Sequence, residues 1–177
     1  MKIAEIEMML NLIATNRISD LTNYLLNERN KEYQARFDNE YRQLIQAAFL
    51  KYMCNFNSKP FYSYYNNKTF LNDNVSMFVI NNKFEIGIDP CNVDFSLNTL
   101  KVVKAMLVNK GIIDRQYKDL SYTVLQRGQL SYKFKSEYVD YLKTFVGKDV
   151  PIYVDTKNPV AFAESKYGEG YILGLKK

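Results

Sequence analysis

The sequence contains no histidine and no tryptophan, and only two of its 177 residues are cysteine. Without histidine, the usual Ser–His and Cys–His catalytic pairs cannot form, and most zinc sites lose a principal ligand. Cys54 and Cys91 are too few for a disulfide scaffold and lack the spacing of metal ligands. Cys54 follows a helical pattern, which predicts a buried thiol. These absences favour a binding role over catalysis, with no cofactor and no metal site.

Long hydrophobic runs are also missing, since no stretch of about 18 apolar residues occurs. The first ten residues, MKIAEIEMML, carry two glutamates at positions where a signal peptide is purely apolar. The sequence therefore predicts an intracellular, cytoplasmic protein that has no membrane partner.

All seven glycines and all four prolines lie after Lys59, so the first 58 residues lack both strong helix breakers. Apolar residues at helical spacing predict a first helix, with the stripe Ile3, Ile6, Met9, Leu10 and Ile13. A short second helix carries Leu21, Leu25 and Leu26, and a longer helix is expected from about Lys31 to Asn55. A leader this apolar either docks on its own domain or binds another chain.

Beyond Pro60 the pattern changes to short apolar runs between turn residues, which predicts strands. The expected strands cover 61–65, 69–71, 75–80, 84–88, 117–125 and 129–134, with three more after residue 150. Turns are expected at Asn66-Asn67, Asn81-Asn82 and Arg127-Gly128. One helix is expected from Leu97 to Asn109 with Gly111 as its C-cap, and another from a Ser136 cap to Gly147. The fold class is therefore α+β.

The net charge of +5 arises after residue 58, because the first 58 residues carry seven basic and seven acidic side chains. A mild positive charge suits a phosphate-backbone partner and equally suits a plain solvated surface. The aromatic content of 15%, with 15 tyrosines, suits both sheet packing and interfaces. The abundance of Asn, Lys, Ile and Tyr is typical of an AT-rich genome, such as that of a low-GC bacterium or its phage.

The segment from Phe134 to Lys177 has the pattern of a helix followed by three short strands. FKSEYVDYL opens the helix, and VPIYV, NPVAF and YILGL form the strands. An earlier segment has the same order, with the helix LIQAAFLKYM, the strand start KPF and the run KTFLNDNVSMFVI. Two such units of a helix and a strand ladder resemble the domain of a DNA sliding clamp, the processivity-factor fold.

The resemblance implies a single clamp-like domain of two helix-plus-strand-ladder units over residues 40–177, after a helical leader over residues 1–39. Clamps that encircle DNA are rings of several such domains, whereas this chain has length for one. The chain therefore forms a homo-oligomer or does not encircle DNA. The implied function is a non-enzymatic binding protein in DNA transactions, with duplex DNA as its partner.

In a clamp, basic residues on the helices face the phosphate backbone without reading sequence. The resemblance therefore implies DNA contacts from basic residues on the two unit helices and on the helix between them. These residues are Arg42, Lys51, Lys135, Lys143, Lys101 and Lys104. Because Glu40, Glu137 and Asp140 share these helices, a plain solvated face explains the same charges.

Two other functions remain open. One is a phage-type inhibitor that binds and blocks a host enzyme or defence complex, for example an anti-CRISPR protein. Its candidate surface comprises the tyrosines of two tyrosine-rich strands, Phe61 to Tyr65 and Tyr117 to Tyr122, namely Tyr62, Tyr64, Tyr65, Tyr117 and Tyr122. The other is a metal-dependent nuclease in which Asp89 and Glu164 hold Mg²⁺ and Lys166 steadies charge. The long spacing between the two carboxylates disfavours this nuclease.

Overall fold

The computed structural model describes residues 2–176, with the side chain of Lys176 excepted. The described chain contains four α-helices, one short 3-10 helix and two antiparallel sheets. The α+β class predicted from the sequence is therefore confirmed. Two compact units make up the chain, Met1–Gln43 and Leu44–Lys177.

The first unit is helical. It contains α1 (Ile3–Ala14) and the larger part of α2 (Ile18–Met53), joined by a turn in which Asn16 adopts a left-handed φ of 58°. The break predicted before Lys31 is wrong, because α2 is continuous. Residues 27–30 contain neither glycine nor proline, and an ion pair of 3.2 Å joins Lys31 Nζ to Glu28 Oε1 across this stretch.

The second unit contains the last turns of α2, the 3-10 helix Phe56–Ser58, two further α-helices and the strands. The two helices are α3 (Val93–Met106) and α4 (Ser136–Val146). The strands are β1 (Phe61–Tyr65), β2 (Lys68–Asn72), β3 (Ser76–Ile80), β4 (Lys110–Ile112), β5 (Arg115–Lys118), β6 (Tyr122–Arg127), β7 (Leu130–Lys135), β8 (Tyr153–Asp155), β9 (Val160–Ser165), β10 (Gly168–Leu173) and β11 (Leu175–Lys176).

Seven strands form the central antiparallel sheet, in the order β1-β2-β3-β10-β9-β8-β4. Two three-stranded meanders, β1-β2-β3 and β8-β9-β10, meet where β3 pairs with β10 and Met77 lies opposite Tyr171. The end of α2 precedes the first meander in the chain, and α4 precedes the second. The unit therefore contains a helix followed by a three-stranded meander twice.

The last turns of α2 and the helix α4 cover the same face of the central sheet. Phe78 of β3 is fully buried there, with its ring centroid 5.9 Å from that of Tyr52 and 5.0 Å from that of Phe145. The Tyr52 and Tyr141 rings meet edge to face at 5.4 Å. The Tyr52 hydroxyl lies 2.9 Å from Ser76 Oγ, which satisfies a polar group that burial would otherwise leave unpaired. This aromatic cluster holds both helices on the sheet.

The opposite face of the central sheet is covered by α3. Met77 and Val79, which alternate with Phe78 along β3, belong to the hydrophobic cluster that includes Val103 of α3. Near the start of α3, the Ser96 hydroxyl donates to Asn72 Oδ1 at 3.0 Å and accepts a hydrogen bond from Ser63 Oγ at 2.9 Å. The sheet therefore separates α3 from α4.

The four-stranded sheet has the order β11-β7-β6-β5, and α4 packs along β6 and β7. Thr123 Oγ1 and Ser136 Oγ are 2.8 Å apart at this contact. Ser136 is thus the first residue of α4 and not its predicted cap, and Lys135 occupies the capping position. The hydroxyl of Ser136 is used for packing the helix on the sheet.

The predicted strand at 84–88 is wrong. Side chains bind the backbone groups that a strand would use for its ladder. Phe84 N donates to Thr69 Oγ1 at 3.1 Å, and Gln46 Nε2 donates to Glu85 O at 2.7 Å. Gly87 has a φ of 76°, which an extended strand does not contain.

Three further local predictions are wrong. Asn92 caps α3, with its side chain accepting from Asp94 N, so the helix begins and ends earlier than expected. Gly111 lies inside β4 and does not cap a helix. Cys54 is exposed, because the chain leaves the helix at Met53 and turns into the 3-10 helix.

The turn between β1 and β2 gives a direct test of local backbone strain. Asn66 and Asn67 join Tyr65 to Lys68 with φ values of 51° and 59°. We expect Asn67→Gly to raise the free energy of unfolding by about 0.5–1 kcal/mol, and Asn67→Val to lower it by about 1–2 kcal/mol. Urea denaturation measures both changes. Asn74→Gly, at a residue without positive φ, is the control and is not expected to gain stability.

Candidate nucleic-acid interface

One face of the four-stranded sheet is buried and the other is open. Side chains alternate across a strand, and Thr123, Leu125, Tyr132 and Phe134 are buried on the face toward α4. The residues between them therefore lie on the face away from α4, which we call the open sheet face. It carries Arg115, Tyr117, Tyr122, Val124, Gln126, Ser131, Lys133, Lys135 and Leu175.

The strand register brings aromatic and basic side chains of the open sheet face together. Tyr122 is paired with Lys135, and Val124 is flanked by Tyr117 on one side and Lys133 on the other. Lys133 Nζ lies 4.1 Å from the centroid of the Tyr122 ring, which is a cation–π contact. The sequence positions of these residues are far apart, and only the pairing of β5, β6 and β7 makes them neighbours.

A second aromatic–cation pair lies on β5, the edge strand of this sheet. Arg115 Nη1 donates to the Tyr117 hydroxyl at 3.0 Å. This hydrogen bond, with the nearby Asp114 carboxylate, raises the pKa of the Arg115 guanidinium, which therefore stays charged. Tyr117 remains half exposed. The open sheet face thus presents two tyrosines, each with a cation beside it.

Two carboxylates border the open sheet face, and both are engaged in turns. Asp119 Oδ1 accepts hydrogen bonds from Ser121 N at 3.0 Å and Tyr122 N at 2.9 Å. These two backbone donors lower the pKa of Asp119, so it stays ionised. Asp114 accepts a hydrogen bond from Gly128 N. Three cations, Arg115, Lys133 and Lys135, therefore lie on the face itself, and the acids lie at its ends.

This arrangement has the chemistry of a single-stranded nucleic-acid surface. Exposed aromatic rings on a sheet stack bases, and neighbouring Lys and Arg side chains bind phosphates. Neither interaction requires a particular base sequence. Lys135, Tyr117 and Tyr122 were identified from the sequence, although as parts of two different surfaces, and the structure brings them onto one.

The two lysines of α3 lie elsewhere. Lys101 and Lys104 are exposed on a helix that covers the opposite face of the central sheet from α4. Lys104 Nζ is 3.7 Å from Glu169 Oε1, so part of its charge is offset. The structure does not bring Lys101 or Lys104 to the face of the central sheet that is covered by the two unit helices.

The unit helices present little free positive charge. Lys143 Nζ donates to Gln116 Oε1 at 3.2 Å, and Lys118 Nζ lies 3.4 Å from Asp140 Oδ2. Glu137 and Asp140 are the exposed charges of α4. At the end of α2, Lys51 Nζ lies 5.9 Å from the Tyr141 ring centroid. The open side of α4 is therefore not basic.

Arg42 belongs to the first unit, where it is exposed in the second half of α2, next to the last residue of the unit. The structure thus divides the six proposed DNA-contacting residues among the first unit, α3, the end of α2 and the region around α4. Of the six, Lys135 alone lies on the open sheet face.

The tyrosines of β1 have three different environments. Tyr62 is 2% exposed and packs edge-on against Phe49 at 5.0 Å, so its ring belongs to the core and offers nothing to a partner. The Tyr64 hydroxyl donates to Phe84 O, and burial raises the pKa of Tyr64 to about 12. Tyr65 is half exposed. A continuous tyrosine surface on β1 is therefore not present.

Arg115 and Lys133 were missed in the sequence. Each lies two residues from a residue that was identified, Tyr117 in one case and Lys135 in the other. Strand alternation places residues two apart on one face, so this spacing was the available signal. It was obscured because the predicted strands at 117–125 and 129–134 left out Arg115 and Lys135, which belong to β5 and β7.

The two carboxylates of the proposed nuclease, Asp89 and Glu164, lie in different kinds of structure. Asp89 lies in an exposed loop, and Glu164 lies in β9. Within residues 2–176, no three His, Cys, Asp or Glu side chains group closely enough to hold a metal ion. None of the helices in this part of the chain combines the length and apolarity needed to cross a membrane.

An apolar groove of about 300 Å³ lies between α3 and the central sheet. Phe95, Val102 and Met106 of α3 line one side, and Met77 and Leu173 line the other. Phe95 and Val102 are more than half exposed, so the groove opens to solvent. It lies on the α3 side of the central sheet.

None of the protein-family models, curated proteins or solved structures compared with this chain matches it.

Proposed function

We propose that this chain is a non-enzymatic nucleic-acid-binding protein that acts in DNA transactions, and that the open sheet face holds a single strand. The observation that carries the proposal is the cation–π contact of 4.1 Å between Lys133 and Tyr122, beside Lys135, Tyr117 and Arg115. Two aromatic rings and three cations on one open sheet face match what single strands require.

The proposed fold is a clamp-like domain over the second unit. Its support is the repeated order of a helix and a three-stranded meander, with both helices on one face of a sheet joined at β3 and β10. The exposed charges of α4, Glu137 and Asp140, are unfavourable for a helix that faces phosphates. The proposal therefore assigns the nucleic acid to the sheet face and not to the helices.

The binding mechanism follows from the side chains available. Lys135 and Arg115 neutralise phosphates, and the half-exposed ring of Tyr117 stacks on a base. Lys133 lies against the Tyr122 ring, which keeps that ring oriented and adds positive charge. Because none of these contacts reads a base edge, binding is sequence-independent and weakens as salt rises.

The test is fluorescence anisotropy with a labelled single strand of about 20 nucleotides and the matching duplex, at salt concentrations between about 50 and 200 mM. We expect the single strand to bind more tightly. Lys133→Ala with Lys135→Ala should weaken binding about tenfold, and loss of the phosphate contact of Lys135 should reduce the slope of log K against log salt by about 0.7.

The matched control is Lys101→Ala with Lys104→Ala, which removes the same charge from the opposite side of the central sheet. This pair is expected to leave affinity within about twofold of the wild type. If only Lys101→Ala with Lys104→Ala loses affinity, the nucleic acid binds at α3 and not at the open sheet face. Absence of binding to either strand form at low salt would refute the nucleic-acid function.

A second candidate function is inhibition of a protein target, favoured by the groove between α3 and the sheet. Phe95 and Val102 are exposed apolar side chains beside a concave surface, which suits an apolar segment of a partner protein. Under this function Phe95→Ala abolishes inhibition of the target and the open sheet face is dispensable. Two variants separate the functions. Loss of target inhibition in Phe95→Ala of α3 supports the inhibitor, and loss of strand binding in Lys133→Ala with Lys135→Ala of β7 supports the nucleic-acid-binding protein.

A further inference from the structure

The first unit exposes a large amount of apolar surface. Leu12 is the one side chain between residues 2 and 43 that is buried. Nine large apolar side chains of this unit are between 40% and 75% exposed. Phe37 is one of them, and the other eight, which we call the leader patch, are Ile3, Ile6, Leu10, Ile13, Ile18, Leu25, Leu26 and Tyr33.

The leader patch follows the helices in ordered stripes. Ile3, Ile6, Leu10 and Ile13 recur at spacings of three and four along α1, so they share one side of that helix. On α2, Ile18 and Leu25 are seven residues apart, and so are Leu26 and Tyr33. A seven-residue spacing is what helices use when they pack lengthwise against one another.

The area of the leader patch matches a protein–protein interface. A large side chain offers roughly 150–200 Å², so eight that are about half exposed present roughly 700 Å² of apolar surface. A stable interface buries about 800 Å² on each partner. Isolated exposed apolar residues are ordinary, but eight at regular helical spacings in one short helical segment are not.

The charge of the first unit identifies the class of partner. Residues 2–43 carry six basic and seven acidic side chains, a net charge of −1, although the whole chain carries +5. A nearly neutral surface has no net electrostatic attraction for a nucleic acid, and it lacks the basic face with which helices bind anionic lipid. Two such patches do not repel each other.

The pattern of these charges also suits pairing with an identical copy. Both signs alternate along α2, and they form local ion pairs, Arg17 with Asp20 and Lys31 with Glu28. In a two-fold interface the same patch faces itself, so mixed charges at the rim meet partners of both signs. A charge pattern of one sign would prevent this arrangement.

We propose that the leader patch is the surface through which two copies of this chain pair, with α1 and the first half of α2 from each copy packed together. The apolar stripes of both helices become the core of the interface. This inference is independent of nucleic-acid binding, because it uses residues of the first unit alone.

The test is the mass of the full chain in solution, measured by light scattering and by sedimentation equilibrium over a range of concentrations. The wild type is expected at twice the mass of one chain. Ile6→Glu with Leu10→Glu should raise the dimer dissociation constant at least tenfold, because each copy then brings two charges into an apolar interface. Circular dichroism checks that helix content is retained.

A second pair keeps the proposal testable if the α1 variant fails to fold. Leu26→Glu with Tyr33→Glu changes α2 and is expected to have the same effect on mass. The matched control is Phe56→Glu with Leu120→Glu, which alters two highly exposed apolar residues of the second unit and should leave a dimer.

Three results would overturn the proposal. A wild-type chain that stays monomeric at high concentration has no such interface. A dimer that persists in both leader variants uses another surface. Binding of the monomer to phosphatidylcholine vesicles, lost in the leader variants, would show that the patch docks on a lipid surface and not on a second copy.

Discussion

Replacing Phe78 with alanine is expected to lower the free energy of unfolding of the second unit by about 3–5 kcal/mol. Phe78 is fully buried in β3, with the Tyr52 and Phe145 rings at 5.9 and 5.0 Å. Its loss removes the side chain around which α2 and α4 pack on the sheet. Few surrounding atoms can fill the space, because two of the neighbours are rigid aromatic rings.

Chemical denaturation followed by circular dichroism measures this change. The control is Phe56→Ala, at a phenylalanine that is 82% exposed, and it is expected to change stability by less than about 0.5 kcal/mol. Equal, small effects at both positions would mean that α2 and α4 do not share a core on this sheet.

Replacing Asp155 with alanine is expected to cost about 2–4 kcal/mol. Its carboxylate is fully buried at the end of β8. It accepts hydrogen bonds from Asn109 N at 2.6 Å and from Lys157 N and Asn158 N at 2.9 Å each. Removal of the carboxylate leaves three backbone donors to find other partners. Asp140→Ala, at an exposed carboxylate, is the control and should change stability by less than about 1 kcal/mol.

The same carboxylate makes stability depend on pH. Burial is the largest influence on the pKa of Asp155 and raises it, but the backbone donors together outweigh burial and the pKa is lowered. A lowered folded pKa stabilises the fold above the unfolded pKa of about 3.9, and this contribution is lost as pH falls further, through the folded pKa. Stability measured from pH 6 to about pH 2 should therefore fall more steeply in the wild type than in Asp155→Asn.

Features encoded by neighbouring residues were predicted from the sequence. The strand at 61–65, the turn at Asn66-Asn67 and the helix ending at Gly147 are confirmed, because local spacing and turn residues specify them. Phe84 to Ile88 has the composition of a strand, yet Thr69 and Gln46 bind its backbone. Those two partners are far away in sequence, so composition could not reveal them.

Features that depend on register were not predictable. Tyr122, Lys133 and Lys135 become neighbours because β6 pairs with β7 in one particular register, and a shift by one residue would move them to the other face. The sequence identified Tyr122 and Lys135 separately for this reason. The apolar stripe of α1 was visible from its spacing, but spacing alone does not say whether a stripe is covered.

Because β3 pairs with β10, the central sheet cannot form completely until the last part of the chain has been synthesised. Met77 and Tyr171 are roughly ninety residues apart, so the first meander leaves the ribosome long before its partner strand exists. Until then β3 is an unpaired edge of apolar residues, open to pairing with another chain. A chain truncated before β10 is therefore more prone to aggregate than a chain truncated before β1, because the edge of β3 then stays unpaired.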